Sequence, residues 1–219
     1  AYQPQPALLP GARAFAIATF AQWADSVVFQ HAVSLVFQPE SIAVRFAKAP
    51  PEFLQTFIAD RSKLFSGGQA SRLPAEQAKH QWPVFMARLQ AQLEASGGQY
   101  LFGEPSLADI AMAHPLWFLR ATPVTSPLVD GYPDVAAWLD RVLAFGHGKS
   151  EEISGEAAID VARTATPAPL PAEVFSEPNG FAAGQRVAIS AIDYGVEAVE
   201  GELLFAGAEE LILCLLYTS

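Results

Sequence analysis

The stretch Pro105-Ser106-Leu107-Ala108-Asp109 constrains this chain more than any other. A serine at a helix N-cap accepts from the backbone of the first turn, and a carboxylate three residues later can take the serine's own N–H. Two orphan donors are then satisfied at once. Behind this start come Leu107, Ile110, Ala111, Met112, Leu116, Trp117, Phe118 and Leu119, apolar nearly all round. Such a helix is expected inside a bundle, where its first amides cannot fall back on water. The same spacing pairs Pro105 with Ile110 as a hydrophobic staple, and Pro115 predicts a kink. Ser106 and Asp109 have no partnered histidine to take a proton, so their role reads as structural capping rather than catalysis.

Other stretches repeat the helical period. Residues 11–37 put Phe20, Trp23, Ala24, Val27, Val28, His31 and Leu35 on one stripe and Gln22, Asp25, Ser26 and Gln30 on another. Residues 50–68 read as a shorter helix stopped by Gly67 and Gly68, and residues 75–95 as a helix stopped by Gly97 and Gly98. In the latter, Trp82, Phe85, Met86, Leu89 and Leu93 share a face. Residues 132–145 carry Pro133 at a first helical position, with Val135, Trp138, Leu139, Val142 and Phe145 directed inward. Five helices in this span make an all-α bundle.

After residue 150 the character changes. A short helix at 154–164 and the linker Thr166–Glu173 precede alternation in RVAISAIDYGVEAVEGELLF, with Val187, Ile189, Ala191 and Tyr194 on one strand and Val199, Leu203 and Phe205 on the next. The expected organisation is a helical domain at 1–150, a short helix and Pro/Ala linker at 151–171, and a truncated antiparallel β appendage at 172–219. So few strands need a further surface to pack on. The proline-bearing start, AYQPQPALLPGAR, reads as an interdomain linker, so the chain is expected to be a fragment. Residues 214–219, CLLYTS, resemble translated adapter sequence rather than a continuation of the strand pattern.

Composition narrows the function. With 219 residues, 51% hydrophobic and 16% charged, the chain can bury one substantial core. A net charge of −10, with Arg and Lys scattered singly, argues against nucleic acid as a partner. No run reaches the roughly 18 apolar residues of a membrane helix, and residues 1–12 show no signal-peptide pattern. One cysteine, Cys214, allows no internal disulfide and points to a reducing cytoplasm. The histidines at 31, 80, 114 and 147 lack ligand spacing, so no metal site is expected.

The boxed helix in GGQYLFGEPSLADIAMA, followed by YPDVAAWLDRVLA, resembles the C-terminal helical domain of the glutathione transferase family. The likeness spans about residues 7–147 and rests on Gly103, Pro105, Ser106, Asp109 and Ala111. It implies a mainly α fold, a glutathione transferase C-terminal-like bundle, to which the β appendage is not an ordinary addition. It also implies a preceding thioredoxin-like domain that supplies the catalytic Tyr, Ser or Cys and most glutathione contacts. This chain then holds no catalytic residue of its own. The activity implied is a detoxifying conjugation, with glutathione as co-substrate, a small hydrophobic electrophile as partner, and a homodimer as the assembly. The face of the first long helix, with Phe20, Trp23, Val27 and His31, becomes the electrophile-side pocket.

Each candidate has a plainer reading beside it. The stripe can be ordinary core, and Trp23 suits a half-exposed cleft best because its ring has a polar edge. A lone histidine such as His31 is more often a satisfied interior group, and His114 beside Pro115 more so. Asp25 and Arg61 could reach a charged tripeptide, but solvated charges on helix faces are commoner. The competing function is a non-catalytic binding or assembly module of the same architecture, whose apolar groove is an interface.

Overall fold

The computed structural model describes residues 7–69 and 73–215. Its contacts divide the chain into two units, Ala1–Leu54 with Ser71–Lys149, and Gln55–Ala70 with Ser150–Ser219.

In the first unit a 3-10 turn (Gly11–Arg13) leads into α1 (Ala14–Trp23), and five residues of π-helix (Ala24–Val28) join it to α2 (Phe29–Val36). The Phe29 N–H donates to the Ala24 carbonyl five residues back, so the expected single helix contains one widened turn. A widened turn acts as a one-residue insertion and rotates the faces on either side of it. The residues that reach the core, Ile17, Ala21, Ala24, Val28, Ala32, Leu35 and Val36, keep three- and four-residue steps through this turn, while Phe20, Trp23 and Val27 are half-buried on the flank of that stripe.

α3 (Pro39–Arg45) follows, then the start of α4 (Pro51–Leu64), α5 (Ala75–Ala95), α6 (Leu107–Arg120), the short α7 (Pro127–Asp130) and α8 (Pro133–Leu143). α5 runs over the expected residues and buries Trp82, Met86, Leu89 and Leu93. Its end is closed by Gly97 and Gly98 at positive φ, with the Gly98 N–H on the Leu93 carbonyl at 2.7 Å. α8 buries Val135, Trp138, Leu139 and Val142, but Phe145 lies past its end, exposed and stacked on Tyr100.

α6 sits at the centre of this unit, packed on α1, α2 and α8. It is not apolar-buried all round. Ala108, Met112, Ala113, Pro115, Leu116 and Leu119 face in, whereas Ile110 is 44% and Trp117 47% exposed, and His114 is exposed and stacked on Phe29 at 4.9 Å. The expected staple residue Ile110 thus faces out, and His114 is no interior histidine. α6 runs unbroken as helix from Leu107 to Arg120 through Pro115.

In the second unit, β1 (Arg186–Ile189), β2 (Val199–Ala206) and β3 (Leu211–Cys214) form an antiparallel sheet in that order. Ile189 pairs with Val199 and Leu203 with Leu213, with a register shift between Leu203 and Phe205. Ala191 and Tyr194 fall beyond β1, because the chain turns there into a loop. That loop ties to the segment after α4. The Gln69 N–H donates to the Ile192 carbonyl at 2.9 Å, and the Gly195 N–H donates to the Leu64 carbonyl at 2.8 Å. α4 therefore ends at Leu64, earlier than Gly67 and Gly68, and the glycines serve another purpose. A Cβ on Gly68 would lie 1.9 Å from the Asp193 carbonyl oxygen, so only glycine permits the approach. Lys63 pairs with Glu197 at 2.7 Å and Phe65 stacks obliquely on Tyr194 at 5.1 Å.

α9 (Gly155–Thr164) is the remaining helix and buries none of its residues. Of the 214–219 segment, Cys214 closes β3, and residues 216–219 lie outside the described residues. Among the described residues no single helix is long and apolar enough to cross a membrane, and no group of three or more His, Cys, Asp or Glu could hold a metal ion.

Candidate functional site

The candidate face spans the widened turn between α1 and α2. Trp23 ends α1, Val27 lies within the π segment and His31 follows in the first turn of α2. Phe20 meets Trp23 edge-on at 5.7 Å, Trp23 meets Phe85 of α5 at 5.4 Å, and Phe20 meets Phe102 at 5.8 Å. These rings lie partly buried against the core, so one side of each packs and the other stays open. Edge-to-face pairs of this kind hold ring orientation as well as area.

His31 is buried and fully engaged. Its Nδ1 lies 2.7 Å from the Val27 carbonyl, its Nε2 is 2.5 Å from the Gln81 side-chain amide, and Phe85 packs edge-on against the ring at 4.7 Å. Both ring nitrogens thus face an oxygen, Nδ1 the Val27 carbonyl and Nε2 the Gln81 side-chain carbonyl. The histidine thereby fastens the π segment to α5. That is the interior role weighed above, and it leaves neither ring nitrogen free.

The four candidates are brought together with different exposures. Phe20 and Trp23 share the aromatic wall, His31 meets it through Phe85, and Val27 is half-buried and joined to His31 by its carbonyl. None of the four lines either of two clefts of this unit. One cleft, of about 310 Å³, is bounded by Arg13, Gln92, Ser96, Leu101, Phe102 and Gly103. The other, of about 290 Å³, lies between Val33, Phe37, Gln38 and the start of α5. The candidate face is a wall rather than a cup. Asp25 is exposed, and Arg61, in the other unit, is paired with Asp60 at 2.5 Å and lies over the Phe57 ring.

Three contributors escaped the sequence reading of the site: Phe85, Phe102 and Gln81. Gln81 could have been found, because it shares the core-facing stripe of Ala78, Trp82 and Phe85, where an amide needs a buried partner. Phe102 lies in a loop and carries no periodic signal.

The frame behind the wall is set by Asp109, which is 0% exposed. Both halves of the capping box are in place. The Ser106 N–H and hydroxyl donate to Oδ2 at 3.0 and 2.9 Å, and the Leu101 N–H and Trp138 Nε1–H donate to Oδ1, both at 2.9 Å. One carboxylate therefore joins the start of α6, the turn before it and α8. At the other end of α6, hydrogen bonding from Arg120 to Asp140, helped by Asp130, raises the guanidinium pKa above its ordinary value.

Residues 85–141, which include Phe85, the box and Trp138, match the family model described as glutathione S-transferase, C-terminal domain. A solved GST-like protein from Pseudomonas syringae is 53% identical to this chain, with a TM-score of 0.73. The match covers 95% of this chain and 63% of that one, so this chain spans less than two thirds of that relative. With 95% of the chain inside the match, most of the β-bearing residues fall within it. No curated protein matches the sequence.

Proposed function

Because the helical unit belongs to the glutathione transferase family, we propose that its aromatic wall is the electrophile-facing side of a glutathione-conjugating site. The observation that carries this reading is the half-open cluster of Phe20, Trp23 and Phe85, held at the π segment by His31. In the whole protein a thiol-activating domain faces this wall. Glutathione thiolate attacks the electrophilic carbon, and the wall holds the apolar body of the electrophile close and oriented. Trp23 and Phe20 supply ring faces and Val27 an aliphatic edge. His31 positions them without touching substrate. The assembly is a cytoplasmic homodimer acting in detoxification.

The test uses the full-length protein: retention on immobilised glutathione, and conjugation of a generic aryl halide. Trp23→Ala is expected to raise KM for the electrophile about tenfold, a loss of roughly 1.4 kcal/mol of ring contact, while KM for glutathione stays put. Equal loss for both substrates would remove Trp23 from the electrophile side. The second reading, a non-catalytic binding module, draws on the absence of Phe20, Trp23, Val27 and His31 from both clefts. It is favoured if the full-length protein is neither retained nor active.

A further inference from the structure

Asn179 is the single asparagine of the sequence, and glycine follows it. Gly180 adopts φ +89° and carries no side chain to hinder its nitrogen as it approaches the Asn179 side chain. Both residues are exposed. The Glu177 carboxylate is folded over this dipeptide. Its Oε1 accepts from the Asn179 side-chain amide at 2.7 Å, and its Oε2 accepts from the backbone N–H of Asn179 and of Phe181, both at 2.8 Å. The Gly180 N–H lies between the two backbone amides, of Asn179 and Phe181, that Oε2 accepts from. A carboxylate only accepts, so it is the NH2 side of the Asn179 amide that faces Glu177.

We propose that Asn179 is a self-modification site, at which Glu177 serves as the intramolecular base for conversion of the asparagine through a succinimide to aspartate and isoaspartate. The carboxylate holds the nitrogen that must depart and, through its bonds to the Asn179 and Phe181 amides, brackets the N–H whose proton must leave. Glu177 takes the Gly180 N–H proton as that nitrogen attacks Asn179 Cγ and forms the new N–Cγ bond. The tetrahedral centre collapses, the Cγ–Nδ2 bond breaks with its electron pair, and Nδ2 collects the proton from Glu177 and leaves as ammonia. Water then adds to either imide carbonyl and opens the ring. Nothing is oxidised or reduced, and water is the sole co-reactant.

Glu177 is ionised at neutral pH and can therefore accept a proton. Desolvation pushes the Glu177 carboxyl upward, but the Phe181 amide, the Asn179 side chain and the Asn179 and Gly180 amides outweigh it and hold the group below its ordinary range. The product carries a second carboxylate where the amide had donated, so the loop loses its tie and gains a like-charge contact.

The experiment is peptide mapping of the full chain incubated at neutral pH and physiological temperature. The tryptic fragment 164–186 holds Asn179. It is expected to gain about one dalton and to split into aspartyl and isoaspartyl forms. Conversion should run faster in the folded chain than in the urea-unfolded chain, and about tenfold slower in Glu177→Gln. An unconverted Asn179 would overturn the proposal. So would equal rates in the wild type and Glu177→Gln, or in the folded and unfolded chain; the latter comparison decides even if the variant loosens the loop.

Discussion

Ser106 and Ser154 both start helices, and the two helices lead opposite lives. Ser154 Oγ accepts from the Ala157 N–H at 3.1 Å, and α9 then runs ten residues with Ile159 and Val161 58% and 64% exposed. Ser106 begins a helix whose N3 carboxylate is wholly buried and accepts four hydrogen bonds from three parts of the chain. The local signals are similar, a serine cap with an acidic residue in the first turn. Burial makes the difference. An exposed cap competes with water, whereas a buried one leaves groups stranded when it is removed.

The sharpest way to break that contrast is Asp109→Ala. It strands the amides of Leu101 and Ser106 and the Trp138 indole N–H, and about 3–5 kcal/mol of stability should be lost from the helical unit. Urea unfolding followed by Trp fluorescence measures it, and a loss under 1 kcal/mol would reduce the network to an ordinary cap. Gly68→Ala comes next. The new methyl runs into the Asp193 carbonyl, so the tie between residues 64–69 and 192–195 opens at about 2–3 kcal/mol. Hydrogen exchange at Gln69 and Gly195 should rise sharply while amides around Trp138 keep their protection; a rise at both sets would mean the two units unfold as one.

His31→Leu deletes two hydrogen bonds and leaves the Gln81 amide unpaired, which should cost about 1–3 kcal/mol. Unchanged stability and Trp emission would show that the π segment holds without its histidine tie. For Ser154→Ala the expected cost is only about 0.5–1 kcal/mol, confined to α9. Exchange at Ala157 reads it, and the helical unit's unfolding curve should not move.

The smallest effect is the pH response of the exposed Lys63–Glu197 pair. Hydrogen bonding to Glu197 raises the Lys63 pKa above 10.5, and the same bond lowers that of Glu197 below 4.5. The depressed carboxylate contributes above its unfolded pKa and fails as pH falls through its folded one. The raised ammonium contributes below its unfolded pKa and fails as pH rises through its folded one. The tie between residues 63 and 197 is therefore expected across the range between, screened by salt. Exchange at Gly195 that ignores both pH and salt would remove the pair from the tie.

Legibility follows the same division. The box at Ser106 and Asp109, the α5 stripe of Trp82, Met86, Leu89 and Leu93, and the α8 stripe of Val135, Trp138, Leu139 and Val142 were written in local spacing and stand as read, while Phe145 falls past the end of α8 and the staple residue Ile110 faces out. The face of residues 11–37 was less legible, because a 3.6-residue period cannot announce a π turn and marks an apolar stripe without showing how much of its width neighbours cover; Phe20, Trp23 and Val27 lie on its half-buried edge. Ile110, His114 and Trp117 turned outward for a related reason: composition says a side is apolar, but only neighbouring helices decide which side is covered.

By itself, the sequence determined the starts of α5, α6 and α8, the capping box of α6 and the apolar stripes of α5 and α8, since capping and periodicity are properties of a few consecutive residues. Only the tertiary structure decided that Trp138 and Leu101 would complete the shell of Asp109, that Gln81 would hold His31, and that Gly68 would admit the Asp193 carbonyl. Those partners lie far apart in the chain, and no local pattern fixes which distant donor or carbonyl will arrive at a given atom.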